Sequence, residues 1–250
     1  MGGENGRPAL DGIRVLDMTQ VIAGPFCSTM LADMGAELVK IERAHSGDDT
    51  RHMGRYKDRG EEDQDYFFAN NRSRRSISLD LKQKTHQQIA QGLAKQADIF
   101  VENYAPGKVA VLGLGWEELH ALNPKLVYCS ISGFGQTGPN RNRPALDPIV
   151  QAASGLMSVT GAPHGEPMQI GAPVGDAISG MMAAYAIMNA LRVAERDGVG
   201  HRIDLSMQDA MMAALGPRMG QTLMAHEQPL RVGNANPLRA PSDIYQAADG

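Results

Sequence analysis

Ile13-Arg14-Val15-Leu16-Asp17 is a short apolar run; Gly24-Pro25 follows it, and the next stretch puts Phe26, Met30, Leu31 and Met34 on one side of a helix. Gly35 supplies the usual helix stop, and Glu37-Leu38-Val39-Lys40-Ile41-Glu42 reads as a second strand. Strand, helix and strand within about 30 residues make a βαβ unit, whose two strands must run parallel. No other feature constrains the chain as tightly, because a parallel sheet needs helices over both faces. Ligands in such sheets lie beyond the carboxyl ends of the strands. That places Val21 to Gly24, after the first strand, and Arg43, after the second, among the candidate binding positions.

The remaining text alternates in the same way. A polar segment, Ala44 to Asp65, reads as a surface excursion, and Ser76-Ile77-Ser78-Leu79-Asp80-Leu81 as a strand. Helical spacing returns at Ile89, Leu93 and Ala97, before a strand over Asp98 to Asn103 and the turn Ala105-Pro106-Gly107. Trp116 to Leu122 is a short helix stopped by Asn123-Pro124, and Leu126 to Ile131 is a further strand opening into Gly133-Phe134-Gly135-Gln136. Beyond Asp147 the texture turns helical: Pro148 to Met157, an apolar helix beginning near Gly175, and Gln208 to Leu223. The class is therefore α/β with a mainly parallel sheet. Residues 1–9 read as a disordered lead, and residues 231–250, rich in Pro, Asn and Ala, as a linker.

Composition narrows the function. Of 250 residues, 42% are apolar and 21% charged, as in an ordinary globular protein, and the net charge of -4 argues against nucleic acid as a partner. Cys27 and Cys129 are isolated among apolar or small residues, which suits reduced core thiols. Met1 to Gly6 has no basic region followed by an apolar core, and no apolar run approaches the roughly 20 residues that span a bilayer. The expectation is a cytoplasmic protein without a membrane segment. The turn after the first strand is not G-x-G-x-x-G, no P-loop occurs, and the seven histidines show no H-E-x-x-H spacing, so neither NAD nor a metal is expected.

The stretch Gly175-Asp176-Ala177 to Met188 sets one carboxylate at the head of an apolar run that reads as a buried helix. Asp is a preferred N-cap, and a helix N-terminus favours its ionised form. A carboxylate held at the edge of a core could also serve as a covalent nucleophile. Cap and nucleophile are both open at this point. Arg72, Arg74 and Arg75 form a basic knot that suits phosphate, or a solvated surface cluster. Phe67 and Phe68 beside them point to the core, and the methionines between Met181 and Met224 to adaptable core packing.

Several stretches together resemble the family III CoA transferases (CaiB/BaiF type), the group that includes formyl-CoA:oxalate CoA transferase. They are Leu10 to Asp17, Ala23-Gly24-Pro25-Phe26, Leu31 to Glu42, Gly47 to Arg51, Asn71 to Ile77, Val101 to Gly107 and Ile131 to Pro139, in order along nearly the whole chain. The resemblance implies a CoA-binding Rossmann-like large domain over residues 10–230, with residues 231–250 as the linker and the start of a small domain that is missing from this chain. It implies an interlocked homodimer acting on acyl-CoA and carboxylate substrates, with coenzyme A as substrate. The family's catalytic Asp falls on Asp176, and a carboxylate that shapes the site falls on Asp147. Its CoA contacts fall on Ile22, Ala23, Arg43, Asn71, Arg72, Ser73, Arg74, Asn103, Tyr104 and Ala105. A basic residue of the formyl-CoA member corresponds to Val111; either Lys108 substitutes for it or that phosphate contact is lost.

The implied chemistry moves CoA between two carboxylic acids through an aspartyl mixed anhydride and an aspartyl-CoA thioester. The alternatives are an acyl-CoA racemase of the same fold, whose His would stand where this chain has Leu146, and a truncated, non-catalytic CoA-binding chain. Leucine cannot exchange a proton, which favours the transferase.

Overall fold

β1 (Arg14–Met18), α1 (Ala23–Asp33) and β2 (Glu37–Arg43) form the expected βαβ unit in the computed structural model, which describes residues 6–53, 65–236 and 238–249. β3 (Arg75–Leu79), β4 (Ile99–Glu102), β5 (Val127–Ser132) and β6 (Arg202–Ser206) complete one sheet in the order β3-β2-β1-β4-β5-β6. Every neighbouring pair is parallel. The chain winds outward from β1 to β3 and then returns to β4, so the strand order reverses between β1 and β4. A crevice opens at such a switch point, beyond the carboxyl ends of the strands.

The central strands are buried on both faces, with side chains alternating between two cores. Val15, Ile99, Val101, Val127, Cys129 and Ile131 pack under α1, α8 (Val174–Asp197) and α9 (Met207–Leu215). Leu16, Phe100 and Tyr128 pack on the other face with α3 (Lys84–Ala94) and α5 (Trp116–Leu122). α8 reaches the sheet and α1 through Ser179, Gly180, Ala183, Ala184, Ile187 and Leu191. The small residues bring helix backbones together: a Cβ on Gly180 would lie 2.8 Å from the carbonyl oxygen of Ala23 and 3.2 Å from the amide of Cys27. Cys27 and Cys129 are buried and unbridged, and burial pushes both thiols well up.

The structure corrects several readings. Pro148 to Met157 is not one helix but α6 (Asp147–Ala153) and α7 (Leu156–Val159), separated where Gly155 takes φ +88°. Gln208 to Leu223 is likewise broken at Gly216-Pro217 into α9 and α10 (Pro217–Ala225). β6 and the short helices α2 (Asp65–Asn70) and α4 (Lys108–Val111) lack a sequence counterpart above. α8 is buried along one side only, for Met181, Met182 and Tyr185 are exposed, as is Met224 further on. With 24 residues and a mean hydropathy of 1.3, α8 is also long and apolar enough to cross a membrane, contrary to the reading that no run approaches that length; its packing against α1, α9, β5 and β6 is that of a core helix. Phe67 is buried but Phe68 is exposed.

The excursion from Ala44 to Asp65 lies outside the described residues from 54 to 64. Its first part is no surface loop: Asp48 and Thr50 are buried, and a short 3₁₀ turn covers Asp49–His52. Of the N-terminal lead, residues 1–5 lie outside the described residues and 6–9 form coil leading into Leu10. Beyond α10, residues 226–236 and 238–249 form neither helix nor strand.

Candidate active site

Asp176 is the third residue of α8 and not its cap. The N-cap is Pro173, which has no side-chain hydrogen bond to give. The cap comes from elsewhere in the chain. Asp147, in the first turn of α6, accepts the amide of Gly175 at 2.6 Å and the amide of Asp176 at 3.1 Å through Oδ1. Its Oδ2 accepts from Gln151 Nε2 at 2.6 Å, which fixes the carboxylate against the head of α8. One acid therefore satisfies two free amides of the helix N-terminus and leaves the other acid unencumbered.

Asp176 is half-buried, and its carboxyl accepts no hydrogen bond from any described residue. Burial first, and the neighbouring Asp147 second, raise its pKa from 3.8 to about 7. That reverses the expectation from the helix dipole: desolvation and a like charge outweigh the positive helix end.

Asp176 and Asp147 line a cleft of about 560 Å³ at the β1/β4 switch point, together with Ile22, Ala23, Asn103, Tyr104 and Ala105. The sequence explains why these loops meet. Gln20 and Asn103 exchange hydrogen bonds, the backbone amide of Gln20 to Asn103 Oδ1 and Asn103 Nδ2 to the Gln20 carbonyl, each at 2.8 Å. The Gln20 side chain also donates to the Tyr104 hydroxyl. Val21 sits at φ +66°, a costly conformation for a β-branched residue, with its amide 3.3 Å from Asp48 Oδ1. Gly24 leaves room for this turn, since a Cβ there would meet Thr19 at 2.4 Å. Beneath Asn103, Glu102 is buried, accepts the Tyr104 amide at 2.8 Å and is raised to about 7, chiefly by burial.

A second cavity of about 380 Å³ opens beyond β2 and β3, lined by Arg43, His45, Leu81 and Lys82 among others, and it shares Tyr104 with the first. Arg43 holds Asp49 there.

The basic knot divides. Arg74 is buried, its guanidinium bound to Asp17 at 2.8 Å and further held by Thr29 and the carbonyls of Pro25 and Asn70, which leaves it no free edge for a phosphate. Asn71 is buried as well, and its Oδ1 joins Arg74 to Lys40, which pairs with Asp48 at 2.6 Å. Arg72 is exposed and pairs with Asp33; Ser73 is an exposed turn residue at φ +60°. Lys108 is exposed at the start of α4, and Val111 is exposed too. Asn71, Arg72, Ser73, Arg74 and Lys108 line neither cavity.

Residues that sequence reasoning left without a role also line the cleft: Gln20, Ser132, Gly133, Arg141, Arg143 and Met207. The signal for most of them was a glycine-rich opening at the carboxyl end of β5, a position where α/β sheets place ligands. Met207 is reached only through β6, which no sequence pattern announced.

The sequence model of CoA-transferase family III matches residues 10–250. A succinate–glutarate CoA-transferase of Agrobacterium fabrum is 42% identical over 250 residues, covering 98% of this chain and 62% of that protein. An acetyl-CoA:oxalate CoA-transferase of Acetobacter aceti is 42% identical over 241 residues, covering 96% and 61%. The crystal structure of a CaiB/BaiF family protein from Brucella suis superposes with a TM-score of 0.89 at 36% identity, covering 98% of this chain and 65% of that one. The chain thus spans less than two thirds of the length of these relatives.

Proposed function

The chain belongs to CoA-transferase family III, and we propose that its switch-point cleft transfers CoA from an acyl-CoA thioester to a free carboxylate, with Asp176 as the nucleophile. The observation that carries this reading is a half-buried carboxyl group at the head of α8 that accepts no hydrogen bond from any described residue and faces a cleft. A desolvated carboxylate is a stronger nucleophile than a hydrated one, and Asp147 takes the amides that would otherwise quench it.

Asp176 attacks the thioester carbonyl, the C–S bond breaks, and CoA leaves as thiolate from a mixed anhydride. The thiolate attacks the aspartyl carbonyl and expels the donor acid as its carboxylate, leaving an aspartyl-CoA thioester. The acceptor carboxylate displaces the thiolate to form a second anhydride, and the returning thiolate attacks the acceptor carbonyl and frees Asp176. Each activated state conserves the thioester's free energy, provided water is kept away.

The pantetheine arm is assigned to the path past Tyr104, from the second cavity to Asp176, with Arg43, His45 and Lys82 near the nucleotide phosphates. The names of two relatives specify succinate, glutarate and oxalate. Short dicarboxylic acids are therefore the proposed substrates here. The proposed homodimer is supported by the exposed apolar side of α8, at Met181, Met182 and Tyr185. The racemase reading finds no support, because the position that would carry its His is Leu146, on the cleft wall.

Incubating the protein with a panel of acyl-CoAs should leave CoA attached to Asp176, detectable by mass spectrometry of the peptide. Asp176→Ala should lose turnover by roughly three orders of magnitude or more while still binding CoA. Near-parental exchange in that variant would refute the assignment.

A further inference from the structure

We infer that Arg141 and Arg143, on the loop between β5 and α6, select dicarboxylic substrates by pairing with the carboxylate that does not react; this rests on the transferase reading above. Among the described residues they are the only side-chain cations lining the 560 Å³ cleft, whose ionisable acids are Asp147 and Asp176. An anionic acceptor entering beside two carboxyl groups is repelled unless a cation compensates. Neither arginine is committed to a protein acid among the described residues, unlike Arg43, Arg72 and Arg74.

Arg143 is also held in place. Its backbone amide closes a turn on the carbonyl of Asn140 at 2.9 Å, and its guanidinium lies 5.4 Å from the ring centre of Phe134. A guanidinium stacked on one face keeps its donor edge free for a carboxylate fork. The rival assignment for these cations is a CoA phosphate. The second cavity already supplies Lys82 beside the Asp49-paired Arg43, away from Asp176, whereas Arg141 and Arg143 line the same cleft as Asp176. A mono-acid of equal length would fill the same cleft but leave the arginine forks unpaired.

Glutarate and valerate differ only in the second carboxylate, so they isolate this interaction. Ligand-observed NMR titration of the full chain should show saturable glutarate binding and much weaker valerate binding. In R141Q/R143Q glutarate binding should weaken roughly 10- to 100-fold, as expected for lost charge-assisted hydrogen bonds, with valerate unchanged. Both side chains are exposed, so the fold should tolerate the change. Undiminished glutarate binding in the double variant would overturn the inference, and so would an equal loss for both acids, the pattern of a general anion or CoA contact. The binding assay is independent of turnover. Selective glutarate binding that depends on the arginines, in a protein that never carries CoA on Asp176, would sink the transferase reading and leave only the dicarboxylate contact of Arg141 and Arg143 standing, not its role in substrate selection.

Discussion

Two carboxyl groups on neighbouring helices divide one task. Asp147 is held by the amides of Gly175 and Asp176 on one oxygen and by Gln151 on the other, which fixes its carboxylate at the head of α8. Asp176 carries the consequence: burial and its neighbour's charge raise it to about 7, so at neutral pH it is a mixture of acid and carboxylate. Only the carboxylate can attack a thioester. The rate of CoA attachment to Asp176 in the free protein should therefore rise through about pH 7 and level off above it. Asp147→Asn keeps an acceptor for Gly175 but removes the charge, so the midpoint should move to lower pH, while Asp147→Ala should also lose the cap at a cost of ~1 kcal/mol. A midpoint that stays put in Asp147→Asn, followed by stopped-flow acylation, would show that burial alone sets this titration. The sequence alone could flag Asp176 as cap or nucleophile but not decide between them. The cap lies 29 positions upstream, and only tertiary packing brings it to the helix.

At the scale of elements, α1 and α8 decide where Asp176 stands. They cross at Gly180, one turn along α8 from Asp176, against the backbone of Ala23, which itself lines the cleft. Gly180→Val would push the helices apart, with a stability loss of about 1–3 kcal/mol, and would displace Asp176 from the Ile22–Ala23 wall. Acylation should fall at least tenfold in a variant that still melts cooperatively; unimpaired acylation would mean that the crossing does not position the site. The small-residue side of α8 was visible in the sequence only as general apolarity. The βαβ opening was legible because two strands, a helix and its stop are all local signals. The breaks at Gly155 and Gly216 were not, since apolar spacing continues across both and a backbone reversal leaves the periodicity intact. β6 escaped for a different reason. It is an edge strand only partly covered, so Arg202-Ile203-Asp204-Leu205-Ser206 carries too little apolar text to stand out. The basic knot stayed open in the sequence because guanidinium groups serve anion binding and buried ion pairs alike, and composition cannot tell that Arg74 will pair with Asp17.

The whole molecule balances two sets of buried acids that respond to pH in opposite directions. Glu42 is held down at about 2, for Arg51, Ser76 and the amide of Asp48 outweigh its burial, and Asp48 is lowered by Lys40 against its own burial. Their contribution to stability is complete above their unfolded values near 4.5 and 3.8, and is lost as pH falls through the lowered folded values. Asp176 and Glu102 behave inversely. Raised to about 7 from 3.8 and 4.5, each holds its proton more tightly when folded, so stability falls as pH climbs from about 4 toward 7 and then levels off. These four groups together place their combined stability maximum near pH 4 to 5, below the neutral range in which Asp176 ionises. Asp176→Asn and Glu102→Gln each remove a group that resists ionisation while keeping its shape. Each should raise the melting temperature at pH 8, by roughly 2–8 °C for ~1 kcal/mol recovered or somewhat more, with the gain vanishing below pH 4. Melting curves across pH 4 to 8 test this directly, and variants no more stable than the parent at pH 8 would contradict it. The two should differ in function: Glu102 lies under the Asn103–Tyr104 wall and does not face the cleft, so Glu102→Gln should gain stability and keep CoA transfer, whereas Asp176→Asn should gain stability and lose it. A site that destabilises its own fold at neutral pH in this way keeps a half-buried carboxylate at the cleft, and the melting difference between parent and Asp176→Asn measures how much stability that placement costs.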